Sequence, residues 1–187
     1  MSDFRTQARV AEAEMRAVFQ ATPLQLNDHL SALYQAEIWL KREDLSPVRS
    51  YKLRGAFNAM RKRAEQKKFV CASAGNHAQA LAFAARSFGV PCEIFVPKNA
   101  PIAKIAACRA YGATVVEGGD SLDEAVAAAR ARATEKGMQF CHPYDDAVVV
   151  AGQATLGLEL VIDIPNLRRV IVPLGGGGLA SGVAIAV

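Results

Sequence analysis

Along the chain the spacing of apolar residues switches repeatedly between a period near 3.6 and a period of two, the marks of helix faces and of half-buried strands. The longer period predicts a first helix over about residues 5–18 and a brief one near 27–34. It predicts a third helix through "YKLRGAFNAMRKR" with Ser50 as its N-cap. "TPLQL" reads as a short extended segment, and the alternation in "EIWLKR" predicts a strand. "FVCAS" reads as a buried strand, followed by a helix over "GNHAQALAFAARSFG" that Gly89 ends. The rhythm then repeats: strand "CEIFVP", helix Pro101–Tyr111, strand "ATVVEG", alanine-rich helix Ser121–Lys136, strand "MQFCHP". A short loop leads to the helix "GQATLGLELVID", then a strand "RRVIVPL", the run "GGGG" and the start of a last helix.

Strands alternating with helices at this spacing imply βαβ units and a mostly parallel sheet. No internal repeat, low-complexity run or long linker interrupts the pattern, so composition marks no domain boundary. The final stretch "LASGVAIAV" is a helix that stops on apolar residues with no glycine and no terminal cation. On that ground the sequence reads as cut.

Composition narrows the classes of function. Of 187 residues 51% are hydrophobic and 21% charged, the profile of a soluble globular protein with a core. The net charge of +4 is mild. The basic residues Arg61, Lys62, Arg63, Lys67 and Lys68 fit the solvated face and end of one helix, and no aromatic residues interleave with them, so nucleic acid is not an expected partner. The N-terminus is polar and amphipathic, unlike a signal peptide, and the apolar runs are too short to span a bilayer. Cys71, Cys92, Cys108 and Cys141 form no C-x-x-C pair, which points to reduced, buried thiols and a cytoplasmic location. Cys141 beside His142 has no third partner spaced to complete a metal site. His29 and His142 are expected at the surface or in loops, and Trp39 in or beside the core.

Three junctions between a strand and a helix carry candidate chemistry. In "SPVRSYKLRGAF" Lys52 stands at a helix start between Arg49 and Arg54. Nearby cations or a dry pocket lower a lysine pKa and free its lone pair, which suits capture of a carbonyl. The bland alternative is a solvated surface lysine, although a cation in a first helical turn is unfavourable. In "SAGNHAQ" the turn formers Ser73, Gly75 and Asn76 precede a helix whose free N–H groups could receive a carboxylate or phosphate. An ordinary turn with Asn76 as N-cap, and His77 without a role, explains the same residues. In "PLGGGGLASG" four glycines remove every Cβ, so that several amides can converge on one anion; a flexible hinge is the alternative. In an open parallel sheet such junctions share the carboxyl edge, where ligands bind. An amine, a carboxylate pocket and a phosphate cup together suggest pyridoxal phosphate acting on an amino acid.

These segments resemble a known family. "LKREDLSPVRSYKLRGA" resembles the cofactor-attachment segment of threonine dehydratases, pyridoxal-phosphate enzymes of the tryptophan-synthase-β (fold type II) superfamily. "SAGNHAQA" resembles that family's substrate-carboxylate loop and "PLGGGGLASG" its tetraglycine phosphate loop. "AGQATLGLEL" resembles a structural segment between them, with Ala154 where the family more often has glycine. The resemblance implies that Lys52 carries the cofactor covalently and moves the substrate Cα proton, and that Tyr51 packs on the pyridine ring. It implies that Asn76 meets the ring 3-oxygen, and that Ser73, Ala74, Gly75, Asn76 and His77 frame the substrate carboxylate. Gly175, Gly176, Gly177, Gly178 and Leu179 would donate backbone N–H groups to the phosphate.

The implied fold is α/β: three-layer αβα, open and mostly parallel sheets in two lobes. Residues 53–153 would form the smaller lobe, and 1–52 with 154–187 part of a larger, incomplete one. The implied reaction converts L-threonine to 2-oxobutanoate and ammonia, the first step toward isoleucine. Dehydration or racemisation of L-serine in the same superfamily, or a non-catalytic association module, are the alternatives. Full-length members would be homo-oligomers, dimers or tetramers. The family chain is longer, and the partner of the pyridine nitrogen and any metal site would lie beyond residue 187.

Overall fold

The computed structural model describes residues 4–187. Helix α1 (Phe4–Met15) leads to a two-stranded antiparallel ribbon, β1 (Leu24–Leu26) and β2 (Trp39–Lys41), with α2 (Asp28–Tyr34) between the strands. Helix α3 (Lys52–Lys62) precedes β3 (Phe69–Ala72), α4 (Asn76–Phe88), β4 (Cys92–Val96), α5 (Ile102–Ala110) and β5 (Thr114–Glu117). Helix α6 (Leu122–Lys136), β6 (Gln139–Phe140), α7 (Ala147–Asp163) and α8 (Gly178–Ala186) complete the order. β3 to β6 form one sheet in the order β5-β4-β3-β6, with every pair parallel. The expected α/β class with a mostly parallel sheet is therefore what the chain forms.

Alternation along β3 divides the core between two faces. Phe69 and Cys71 point into a cluster with residues of α3, α4 and α5, while Val70 and Ala72 meet Ala125 and Ala129 of α6. Successive strand side chains take opposite faces, so a run with no polar position needs cover on both. Local signals set most boundaries as read. Gly89 and Gly137 close α4 and α6 in the left-handed conformation. The Ser121 hydroxyl accepts from the Glu124 N–H to start α6. Helix α7 begins five residues before the expected start, because Asp146 caps it by accepting from the Val148 N–H at 2.8 Å.

Four readings are corrected. Ser50 does not cap α3; its backbone is held in a turn by Ser46 Oγ, which accepts from the Ser50 N–H at 2.9 Å. Trp39 is 40% exposed, paired across the ribbon with the similarly open Leu26, because a two-stranded ribbon covers only one of its faces. Arg61 and Arg63 are partly buried rather than solvated, paired with Glu14 and Asp146. "RRVIVPL" forms no strand. A strand requires a neighbour to receive its backbone hydrogen bonds, and none lies beside this segment among the described residues. Ile171 is left 88% exposed. The segment instead borders an open groove of about 710 Å³ with Val161, Ile164 and Val183.

The crossing of α3 and α7 is tight. A Cβ at Gly152 would lie 2.5 Å from the Arg54 carbonyl oxygen and 2.7 Å from the Gly55 Cα, so two helix backbones meet with no side chain between them. Arg54, almost fully buried, extends from this crossing into a charged network. Its guanidinium donates to both carboxylate oxygens of Glu43, at 2.9 and 2.8 Å, and to both of Glu159, at 2.6 and 2.9 Å. Thr155 Oγ1 accepts a further bond at 3.0 Å. Lys41 Nζ reaches Glu159 at 2.7 Å, and Arg16 also pairs with Glu159. Burial alone would lower the Arg54 pKa, but the bonds to Glu43 and Glu159 outweigh it and hold the guanidinium charged.

Removing one partner of a buried ion pair strands the others without water. Arg54→Met is therefore expected to cost about 3 kcal/mol in urea unfolding, the low end for a buried pair because Lys41 and Arg16 still neutralise Glu159. Gly152→Ala, which forces two backbones apart, is expected to cost about 2–3 kcal/mol by the same measurement. A midpoint unchanged from wild type would contradict the helix crossing described.

Candidate active site

The sheet order creates a switch point. From β3 the chain moves through α4 to β4 and outward to β5, then returns to add β6 on the other side of β3. The connections leaving β3 and β6 therefore part company above adjacent strand ends, and a crevice opens where such connections diverge. Ser73–Gly75 leaves β3, and residues 141–146 leave β6.

His77, in the first turn of α4, ties the two connections together: its Nε2 lies 3.1 Å from the Cys141 carbonyl oxygen. Burial pushes the imidazole down to about 4, a shift that the charges of Lys52 and His142 reinforce. At neutral pH the ring is uncharged, and the nitrogen facing a carbonyl must be the one that carries hydrogen. Ser73 Oγ accepts from the Gly75 N–H at 3.2 Å, which tightens the turn. Gly75, not Asn76, is the N-cap of α4, and it offers no side chain to the free N–H groups behind it. Asn76 is exposed, and its Oδ1 accepts from Lys104 Nζ at 2.9 Å.

Lys52 opens α3 and turns its amine toward the β6 connection, where it donates to the Pro143 carbonyl at 2.8 Å. The amine lies 5.4 Å from the Tyr51 ring centre and 6.0 Å from that of Tyr144. Its pKa is lowered by burial. Of the two causes weighed, nearby cations and a dry pocket, burial is the operative one: Arg49 is exposed and Arg54 is neutralised by two carboxylates. Tyr51 packs against the cluster that holds Leu179.

The glycine run reaches the same place from the other side. A Cβ at Gly176 would fall 2.4 Å from the Tyr144 ring, and one at Gly178 would fall 2.9 Å from the Tyr144 carbonyl oxygen. Gly177 takes φ 86° and caps α8 without a side chain. The loop is thus shaped by contact with Tyr144, and the N–H groups at the start of α8 have no side-chain cap. Pro143 and Tyr144 join Lys52 to this loop, yet neither stood out in the sequence. The available signal was position: "HPYDDA" is a further strand-to-helix junction on the same sheet edge.

The four cysteine thiols play no part in this arrangement, to which Cys141 contributes only its backbone carbonyl. All are buried, and burial raises each thiol, Cys108 to about 11 and Cys141 to about 12. Among the described residues no helix is long and apolar enough to cross a membrane.

Residues 16–187 match the model of a family described as pyridoxal-phosphate dependent enzyme. The L-threonine ammonia-lyase of Thermotoga maritima is 43% identical over 180 residues, covering 95% of this chain and 45% of that protein. The chain thus spans about half the length of the curated relatives it matches. Among solved structures, the processed form of threonine deaminase isoform 2 from Solanum lycopersicum superposes with a TM-score of 0.91 at 37% identity, covering 100% of this chain and 53% of that one. Maize serine racemase superposes with a TM-score of 0.92 at 32% identity, covering 97% and 56% respectively.

His77 generates a pH prediction. Its folded pKa of about 4 lies below the ordinary 6.5, so the unfolded chain binds the extra proton first as pH falls. Its contribution is complete above pH 6.5 and declines down to about pH 4. Between pH 7.5 and 5 the loss is expected to be about 2 kcal/mol in urea unfolding. His77→Gln, which keeps a donor but cannot titrate, should flatten that slope; an unaltered slope would place the proton elsewhere.

Proposed function

Since the chain belongs to the pyridoxal-phosphate dependent enzyme family, we propose that it carries the amine and the phosphate cradle of an L-threonine ammonia-lyase. The whole protein would convert L-threonine to 2-oxobutanoate and ammonia. The observation that supports this reading best is the convergence of Lys52 and the glycine loop on Tyr144. The residues fit the cofactor: the cradle has no room for a Cβ at 176 or 178, and a glycine-capped helix stands behind it. The threonine enzymes among the relatives favour threonine as substrate. The likeness to maize serine racemase supports L-serine as the second reading.

Pyridoxal phosphate, when bound, supplies an electron sink for negative charge at the substrate Cα. Gly175, Gly176, Gly177, Gly178 and Leu179 would hold its phosphate through backbone N–H groups at the start of α8. Tyr51 would pack on its ring, and Asn76 would donate to its 3-oxygen. Lys52 would carry it and, once displaced by substrate, take the Cα proton. Burial suits both tasks, because it favours the neutral amine. The Pro143 carbonyl holds that amine in place by accepting a hydrogen bond from it. The turn from Ser73 through Ala74, Gly75 and Asn76 to His77 would receive the substrate carboxylate, since α4 begins there with uncapped N–H groups. Neutral His77 would brace that turn against Cys141.

We assign residues 53–153 to a smaller lobe, and 1–52 with 154–187 to part of a larger one. We place the protein in the cytoplasm as a homo-oligomer of two or four copies. Buried, undissociated thiols suit a reducing compartment, and the open apolar residues Ile171 and Leu174 suit association.

The purified chain, which as about half of the whole protein is expected to bind pyridoxal phosphate weakly and turn over little threonine, is expected when saturated with the cofactor to show a visible absorbance band beyond that of the free cofactor, and Lys52→Ala is expected to lack it. A band of equal strength in both would overturn the assignment of Lys52. Product analysis with threonine and with serine, after co-expression with the C-terminal half of a longer relative, should give 2-oxobutanoate from threonine. D-serine as the main product would favour the second reading.

A further inference from the structure

The contact between Lys104 and Asn76 carries a consequence for the amide. The two ends of an asparagine amide have nearly the same shape, but one accepts hydrogen bonds and the other donates them. A lysine ammonium has only donors. With Lys104 Nζ 2.9 Å from Asn76 Oδ1, the oxygen end is taken, and Nδ2 is the end left for a second partner. That partner must be an acceptor. The ring 3-oxygen of pyridoxal phosphate is one, and a flipped amide would set oxygen against oxygen.

Helix stability does not explain the lysine. Lys104 stands in the first turn of α5, whose N-cap Pro101 offers no side-chain bond. A cation there opposes the helix dipole. Its partner is a neutral amide on another helix rather than a carboxylate. A positive charge beside the amide oxygen also polarises the group and strengthens donation from Nδ2.

We propose that Lys104 is a positioning residue: by holding Asn76 Oδ1 it fixes the amide so that Asn76 presents only N–H donors to the cofactor's ring oxygen. The proposal rests on the reading of Asn76 as the partner of that oxygen. Lys104 touches neither cofactor nor substrate in this role and acts through Asn76. Arginine at 104 can make the same bond to Oδ1; methionine fills similar volume and cannot.

The test uses the full chain and pyridoxal phosphate, with two readouts apart from turnover: the dissociation constant from the visible band, and the pH at which that band shifts. Lys104→Met is expected to weaken cofactor binding about three- to tenfold, the worth of one hydrogen bond. It should also raise the pH of the spectral shift, because the deprotonated ring oxygen loses a donor. Lys104→Arg should restore both. In the Asn76→Ala background, Lys104→Met should have no further effect. If Asn76→Ala weakens binding while Lys104→Met does not, the role of Lys104 is refuted and that of Asn76 stands. If the two losses simply add, Lys104 acts on the cofactor by another route and the proposal fails. If Asn76→Ala changes neither readout, the reading of Asn76 falls, and the proposal with it.

Discussion

The arrangement depends on one buried guanidinium. Arg54 lies two residues after Lys52 on the same helix, and both carboxylates it binds come from other elements: Glu43 follows the ribbon and Glu159 belongs to α7. A planar fork facing two carboxylates admits few orientations. The first turn of α3 therefore cannot rotate or slide without breaking bonds to two segments at once. Lys52 inherits that rigidity, and its amine stays at the Pro143 carbonyl. The shared charge also holds Glu159 ionised. Burial would raise its pKa, but bonds and charge from Arg54 and Lys41 outweigh burial and keep it low. What Glu159 contributes to stability is accordingly present above the ordinary glutamate range and lost as pH falls below it.

The same logic sorts the cations by task. Arg54, Lys41 and Arg16 are occupied by Glu159, so their charge is spent on structure. Lys52 meets only a carbonyl dipole and aromatic faces. A half-buried amine with no carboxylate loses hydration without gaining a counter-charge, which favours its neutral form. The lysine segment thus holds two cations two residues apart in opposite electrostatic conditions, and only the pairing distinguishes them. Sequence spacing left neighbouring arginines and a dry pocket as alternative causes of a depressed lysine; the fold pairs Arg54 with carboxylates and leaves burial.

How much could be read from the chain follows from the range of each determinant. Helix ends at Gly89, Gly137 and Ser121 are decided within one turn and were visible. The unbroken apolar run of β3 and the repeated strand–helix rhythm pointed to the sheet class, because both are carried by neighbouring residues. Trp39 and Ser50 were misread because burial and capping depend on partners that arrive from elsewhere: a second layer for the ribbon, and Ser46 for the turn. Tyr144 passed unnoticed because one tyrosine in a loop carries no periodic signal. Its meaning appears only when the glycine run is folded against it. The clamp was present in the quoted motifs as Glu43, Arg54, Thr155 and Glu159, but nothing along the chain says that four such residues meet.

The glycine loop and the segment before it show why one junction survives without its strand. The run at 168–174 was expected as a strand because of its composition, yet it lacks a neighbour and stays irregular. The glycines that follow depend on something nearer. Contact with the Tyr144 ring and carbonyl limits them, and α8 behind them is anchored by Leu179 and Val183 against Leu156 and Leu160 of α7. Close approach of α7 and α8 at Gly182, where a Cβ would fall 2.7 Å from the Ala154 N, holds the start of α8 at a set distance from Asp146 and Tyr144. An anion cradle needs converging N–H groups and a rigid helix behind them, and α7 supplies that rigidity through helix packing. The α7–α8 contact thus fixes where the glycine loop begins α8, independently of any strand pairing by the segment before it.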